Sequence, residues 1–245
     1  MLDGAPNPVE APDAALCGAL RSVAGVPGAR RWWVEPISRG FELHAEIGSG
    51  QDVAGTRATR LAAGAGLFAL HLTLATHGVR PVTTLLPRMG RPGLLALLRH
   101  GSVRPPTPTE RTLHAALRRA VPLPEHAVPV PWPFLRGAAD AEGVWLHSAT
   151  ESGDAAALRE VLTGDTETPA GGVLVLIGSS HDLPVCQLRA GRAVERVLLT
   201  ASVLGHAGTV LAGPGRLATS RRALLTAGLP AFVVPQAMLS FTPLN

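Results

Sequence analysis

The sequence predicts a mixed fold of helices and strands, of the α/β or α+β class, and three observations support this. Helical and strand-like patterns alternate along the 245 residues. The two strongest helical patterns, Arg57–His77 and Gly191–Leu204, are both expected to be buried. These two helices also match when aligned, in the pairs Gly64 with Gly191, Leu72 with Leu199, Thr73 with Thr200 and Gly78 with Gly205. An internal repeat is therefore predicted.

The composition is that of a globular protein. Hydrophobic residues make up 46% and charged residues 16%, which supplies enough apolar area to exclude general disorder. No run of about twenty apolar residues occurs and Met1–Ala15 lacks the pattern of a secretory signal, so we expect a cytoplasmic protein without a membrane span. Every basic residue is Arg, which suits either an anionic ligand or a GC-rich genome. Because acidic residues are interspersed among them, nucleic-acid binding is not predicted.

A single domain of two halves is predicted, and its first half covers residues 14–120 behind a loose leader at residues 1–13. Alternating apolar residues, helical periodicity and helix-starting prolines define the elements of this half. They are a short helix at Ala14–Val23, a hairpin over Trp32–Glu46 turning at Ser38–Gly40, the helix Arg57–His77, a strand at Pro81–Leu86, a short helix at Leu94–His100 and a helix at Thr109–Arg119.

A connector and a strand–helix unit over residues 121–172 are predicted to lead into the second half, residues 173–245. Five prolines between Pro122 and Pro133 exclude a helix or a central strand, so this stretch is predicted to be extended. The predicted elements that follow are a strand at Gly143–Ser148, a helix at Ala155–Leu162, a polar linker at Thr163–Gly172, a strand at Val173–Ile177, the helix Gly191–Leu204, a strand at Thr209–Leu211, a helix at Ser220–Ala227 and a strand at Ala231–Val234.

Four segments resemble one protein family. Leu188–Leu211 reads LRAGRAVERVLLTASVLGHAGTVL and is similar to the LRAGRALERVLLTATALGL run of Acg-type proteins, a branch of the FMN-dependent nitroreductase superfamily. Arg57–Pro81 resembles the family's first central helix, GREL-x-x-x-CGAAL followed by G-x-RP. Ala141–Leu146 resembles its AEGA-x-L strand, and Gly228–Gln236 resembles its closing strand with G-x-P and PQ elements.

The resemblance implies an α+β sandwich of the nitroreductase type. In that fold two fused half-repeats pack their central helices together beside a mostly antiparallel sheet, and FMN lies between the halves. It also implies an oxidoreductase that passes electrons from a nicotinamide cofactor to a nitro or quinone-like acceptor. The hydride chemistry belongs to the flavin, so no catalytic side chain is assigned.

The flavin motifs of the family are only partly present. Its flavin-contacting loop reads APS-x-x-N-x-QPW, whereas Val23–Trp32 reads VAGVPGARRW and lacks the Ser, Asn and Gln. The RR-x-TNR-x-PF motif aligns at Arg118 and Arg119, but its Thr-Asn-Arg part is absent. Only Thr163–Gly172 stands in place of the long segment between the halves. We therefore expect a partly degenerate flavin site.

Six arginines are the candidate flavin ligands that the resemblance implies. Arg118, Arg119 and Arg192 are the candidates for the FMN phosphate, Arg57 for the pyrimidine end, and Arg30 and Arg31 for the bonds that the lost polar side chains made. The alternative for each is a solvated or ion-paired surface arginine, and Arg192 has Glu195 three residues away. Nine histidines are scattered without ligand spacing, so no metal site is predicted.

Two functions stay open. The first is an FMN-dependent NAD(P)H oxidoreductase of the nitroreductase type. The second is a non-catalytic descendant that sequesters a flavin or binds a partner, either a second copy of the chain or an intact homologue. Substrate, electron donor and oligomeric state do not follow from the sequence.

Overall fold

The computed structural model describes residues 19–20, 23, 25–47, 52–87, 91, 93–118, 130–148, 156, 158–159, 162, 172–226 and 228–243. The fold is α+β, in agreement with the predicted alternation. The described strands are β1 (Trp32–Ile37), β2 (Gly40–Ala45), β3 (Val79–Leu85), β4 (Leu94–Val103), β5 (Trp145–Ser148), β6 (Val173–Ser179), β7 (His206–Ala212) and β8 (Val234–Pro243). The described helices are α1 (Val53–Thr76), α2 (Pro108–Leu117), α3 (Trp132–Asp140), α4 (Pro184–Val203), α5 (Pro214–Thr219) and α6 (Arg221–Thr226).

The two halves of the chain have the same topology. One antiparallel sheet has the strand order β1-β2-β4-β3, and the other has the order β5-β6-β8-β7. In each half the long helix lies between the second and third strands in sequence. Residues of β3 and β7 correspond one to one when the residue numbers of the first half are raised by 127. The hydrogen-bonded residues Arg60 and Gln187 have the same separation in sequence. The repeat predicted from Gly64 and Gly191 is therefore a repeat of the whole half.

The central helices α1 and α4 pack through Gly64 and Gly191. A Cβ atom on Gly64 would lie 2.2 Å from the carbonyl oxygen of Leu188, and one on Gly191 would lie 1.9 Å from that of Leu61. Because these contacts are reciprocal, the two halves meet as the subunits of a two-fold dimer do. Each helix is followed by a glycine with positive φ, Gly78 at 82° and Gly205 at 81°, which turns the chain into β3 or β7.

Helix α1 is the core helix of the first half. Within the described residues it is long and apolar enough to cross a membrane, yet 89% of that stretch is buried inside the protein. On one side it packs against β2 and β4, through contacts with Phe41, Leu43 and Leu98. Burial by protein therefore accounts for its apolar composition.

Two predicted elements are wrong. Leu94–His100 belongs to β4, which pairs with both β2 and β3, because a short leucine-rich run has no period that separates helix from strand. Ala231 and Phe232 form a turn, and the strand begins at Val234 and continues to Pro243. Both errors fall on the strands that lie second from the edge of each sheet.

The extended connector predicted up to Pro133 also ends earlier than expected. Helix α3 begins at Trp132, because a proline in the first helical turn requires no backbone donor. Trp132 is only partly exposed and packs against the core. Residues 119–129, nearly all of Thr163–Gly172, most of the predicted helix Ala14–Val23 and half of the predicted helix Ala155–Leu162 lie outside the described residues.

A reciprocal capping box begins α2. The Glu110 backbone N–H donates to Oγ1 of Thr107 at 3.2 Å, and the Glu110 carboxylate accepts from the Thr107 backbone N–H at 2.7 Å. Arg80 of β3 donates to the other oxygen of the same carboxylate. The Arg80 hydrogen bond, together with those from Thr107, lowers the pKa of Glu110 to about 2 against the opposing effect of burial.

We expect Glu110→Gln to reduce the dependence of the free energy of unfolding on pH at acidic pH. A carboxyl whose pKa falls from 4.5 to about 2 on folding stabilises the protein fully above about pH 4.5, and this contribution is lost as the pH falls toward about 2. The amide of glutamine retains an oxygen for the Thr107 N–H but has no charge to lose. Urea unfolding across this range measures the slope, and equal slopes for both proteins would contradict the assignment.

Candidate functional site

A cleft of about 380 Å³ lies between the two halves, at the N-terminal end of α1, and is called the inter-half cleft below. The loop before β1 and the first turn of α1 line it on one side, and the end of β7 with the start of α5 lines it on the other. Its lining residues are Pro27, Gly28, Asp52, Ala54, Gly55, Ala58, Val210, Leu211, Ala212, Gly213, Gly215 and Arg216. Neither half alone forms this cleft.

Two glycines let the second half approach the first closely at this cleft. A Cβ on Gly213 would lie 2.9 Å from the carbonyl oxygen of Pro27, and one on Gly215 would lie 2.7 Å from Cβ of Ala54. Both distances are shorter than van der Waals contact. The walls are therefore largely backbone and small side chains, so few of the lining residues belong to a sequence motif.

The charged groups of the inter-half cleft come from both halves. Asp52 caps α1 by accepting from the Gly55 backbone N–H at 2.7 Å. The exposed Arg30 extends along the same turn, and its Nε lies 3.3 Å from the position of a Cβ on Gly55. On the opposite wall Arg216 donates to the carbonyl oxygen of Leu162 at 2.8 Å. Two guanidinium groups thus flank the cleft.

The structure places the five predicted arginines that it describes in different surroundings. Arg30 and Arg57 lie near the start of α1, but Arg57 is buried with its Nε 3.1 Å from Oδ1 of Asp182. Arg31 is directed away toward Glu46, 3.9 Å distant.

Of the remaining three arginines, the two that the structure describes do not line the inter-half cleft. Arg118 is exposed at the C-terminal end of α2, and Arg119 lies outside the described residues. Arg192 of α4 pairs with Glu142, in the turn between α3 and β5, at 2.8 Å.

A second cleft, of about 840 Å³, occupies the position related to the first by the internal repeat. Its wall at Thr83–Leu85 corresponds to Val210–Ala212 under the same shift of 127 residues. Here the buried Glu142 lies between Arg192, at 2.8 Å, and Arg196, at 3.1 Å. Glu142 is thus paired with both Arg192 and Arg196.

His71 of α1 lies near these arginines. Burial, and secondly the charge of Arg192, lowers the pKa of His71 to about 4. Its imidazole is therefore neutral at physiological pH.

One cluster was missed by the sequence search, on the first sheet. Glu35, Glu42 and His44 bring one ligand atom each to within 4.8 Å of one another. Glu35 lies directly opposite Glu42 in the β1–β2 register, and His44 is two residues further along β2. The hydrogen bond from Arg91 holds the pKa of Glu42 below its usual value despite burial. The cluster could have been predicted only from the register of the hairpin, because pairing of β1 with β2 is what brings Glu35 next to Glu42.

No family model matches the chain, and no curated protein matches it. The geometry of the inter-half cleft is therefore the main basis on which a function can be proposed.

Proposed function

We propose that the chain is a flavoprotein of the nitroreductase type that holds FMN in the inter-half cleft and passes electrons from NAD(P)H to a nitro or quinone-like acceptor. The observation that carries the proposal is a ligand-sized cleft built jointly by two topologically equal halves. Its wall includes Pro27 and Gly28, from the segment that resembles the family's flavin-contacting loop. A homodimer fused into one chain would place a flavin at such a junction.

The residues present are compatible with the flavin. The cleft volume lies within the range of about 300–1,000 Å³ that is usual for cofactor sites. Arg30 and Arg216 supply guanidinium groups of the kind that bind phosphate, and the Asp52 carboxylate is an acceptor for an N–H group. When bound, FMN would supply the hydride chemistry, and the chain would bind and orient it. The visible absorption spectrum of the purified protein, before and after addition of FMN, tests the proposal.

We expect Arg30→Gln to weaken FMN binding about tenfold or more. A hydrogen bond to a charged group contributes about 1.5–3 kcal/mol, and the variant loses the cation while keeping a polar side chain. Flavin fluorescence titration measures the affinity. Arg31→Gln is the matched control, because this adjacent arginine is also exposed but is directed toward Glu46. Riboflavin, which lacks the phosphate, should bind both variants alike, and an equal loss of FMN affinity in both would contradict the assignment.

A second candidate is a flavin-sequestering protein without turnover, and the Arg57–Asp182 pair favours it. The guanidinium predicted to contact the pyrimidine end is buried and faces a carboxylate at 3.1 Å. The Arg57 guanidinium would therefore not be available to contact a flavin ring bound nearby. Oxidation of NAD(P)H by the FMN-loaded protein, with a nitroaromatic or quinone acceptor, separates the candidates: turnover supports the oxidoreductase, and tight FMN binding without turnover supports sequestration.

A further inference from the structure

Glu35, Glu42 and His44 form a cluster on the face of the first sheet that points away from α1. Their strand neighbours Phe41 and Leu43 pack with α1 in the core, and alternate residues of a strand point to opposite faces. Glu42 and His44 are nonetheless buried, with side chains 8% and 9% exposed, whereas Glu35 is 51% exposed. The cluster is therefore sheltered on one side and open to solvent on the other.

Each carboxylate in this cluster has one oxygen fixed by an outer donor. Nε1 of Trp33 donates to Oε1 of Glu35 at 2.7 Å, and Nη1 of Arg91 donates to Oε1 of Glu42 at 2.7 Å. The other oxygen of each carboxylate faces Nε2 of His44, at 3.8 Å for Glu35 and 3.0 Å for Glu42. Three ligand atoms therefore converge, and two donors outside the group hold the carboxylates in that orientation. Outer donors of this kind are typical of metal ligands.

The two distances from His44 to the carboxylates are close to those around a first-row divalent ion. Zn–N and Zn–O bonds of about 2.0–2.2 Å in tetrahedral geometry place neighbouring ligand atoms about 3.3 Å apart. The two distances from His44 Nε2, 3.0 Å and 3.8 Å, lie on either side of that value. A hydrogen bond accounts for the shorter distance alone, whereas an ion between the three atoms accounts for both. It would also neutralise two carboxylates that lie directly opposite each other, a pairing that is otherwise unfavourable.

We infer that Glu35, Glu42 and His44 bind one Zn²⁺ or similar first-row divalent ion, with a coordination position left for water on the exposed side of Glu35. An imidazole with two carboxylates suits Zn²⁺ better than Mg²⁺ or Ca²⁺, which prefer all-oxygen sites. Trp33 and Arg91 orient the carboxylates, and the Trp33 ring also stacks on His44 with ring centroids 5.5 Å apart. The site lies on two strands of the first half and does not depend on flavin binding.

Calorimetric titration of the purified chain with Zn²⁺ tests the inference. We expect saturable binding of one ion per chain, and Glu42→Gln and His44→Gln should each weaken it at least tenfold. Glu46→Gln, directly after β2, and His100→Gln, in β4, are the matched controls, since they change the same residue types outside the cluster. The Zn²⁺ affinity of these controls should stay within about twofold of that of the parent protein, because the affinity depends on the ligands and on the residues that hydrogen-bond to them.

Co²⁺ provides a readout that does not require a variant to fold. Bound by these three side chains, it should show visible absorption bands of tetrahedral or five-coordinate nitrogen–oxygen ligation, and Zn²⁺ should abolish them. Trp33→Phe, which keeps an aromatic ring but loses the indole N–H, should bind Co²⁺ about tenfold more weakly. Binding no stronger than that of an exposed histidine, or a cluster variant that folds and binds as the parent protein does, would overturn the inference.

Discussion

Gly191→Ala is expected to lower the free energy of unfolding by about 3 kcal/mol or more, through a single added methyl group. The new Cβ would lie 1.9 Å from the carbonyl oxygen of Leu61 and 3.0 Å from the backbone nitrogen of Ala65. Because both are backbone atoms of a buried helix, the clash is relieved only if α1 and α4 move apart. The higher helix propensity of alanine, about 1 kcal/mol, offsets only part of this cost.

The internal repeat provides an internal comparison. Gly64→Ala should cost about as much as Gly191→Ala, since its Cβ would lie 2.2 Å from the carbonyl oxygen of Leu188. Gly137 of α3 is the matched control, because a Cβ there meets no atom within 4 Å and alanine should be neutral or stabilising by up to about 1 kcal/mol. Urea unfolding followed by circular dichroism measures all three. If Gly191→Ala and Gly137→Ala had equal midpoints, the close helix crossing would be wrong.

The separation of the halves by Gly191→Ala has a functional consequence. The inter-half cleft has one wall from each half, with Gly213 close to Pro27 across it. Under the proposed function, a displaced α4 should therefore also reduce FMN affinity, although neither helix glycine lines the cleft. The proposed FMN binding would then depend on the same interface of the repeat that determines stability.

The architecture was predictable from the sequence where a local pattern had a single structural solution. Gly64 and Gly191 recur at equivalent positions of two apolar helices, and close helix packing is a physical reason for glycine there. The hairpin turning at Ser38–Gly40 was equally predictable, because apolar and polar residues alternate along its strands. Its turn ends at Gly40, whose φ of 148° favours glycine. β4 was not determined, since Leu94–Leu98 is apolar throughout and only pairing on both edges makes it a strand.

The candidate sites were less predictable, because their groups are distant in sequence. Arg57 meets Asp182, and Arg196 meets Glu142, 54 residues away, so no local pattern shows that these cations are paired. The inter-half cleft is lined mainly by backbone and small residues, which carry no motif. Of the five described arginines that the sequence predicted as flavin ligands, only Arg30 lies at its rim, and Arg216 was not predicted.

Glu142→Gln is expected to cost about 2–3 kcal/mol, because the carboxylate is the shared partner of two guanidinium groups. Its side chain is 5% exposed, with Arg192 at 2.8 Å and Arg196 at 3.1 Å. Removal of one partner of a buried ion pair costs about 3–5 kcal/mol, since the remaining charge keeps its desolvation penalty. Arg192 and Arg196 are 21% and 29% exposed, so water can solvate them in part and the loss should be smaller.

Two comparisons isolate the charge effect of Glu142→Gln. Glu46→Gln, in an exposed pair with Arg31 at 3.9 Å, should change stability by less than about 0.5 kcal/mol. In an Arg192→Met background the cost of Glu142→Gln should fall, because one of the two unpaired cations is gone and the two changes are coupled.

Added phosphate should also raise the melting temperature of Glu142→Gln more than that of the parent protein, since the freed guanidinium groups can bind the anion only in the folded state. Equal thermal shifts in both proteins would show that Arg192 and Arg196 do not form an anion site when released.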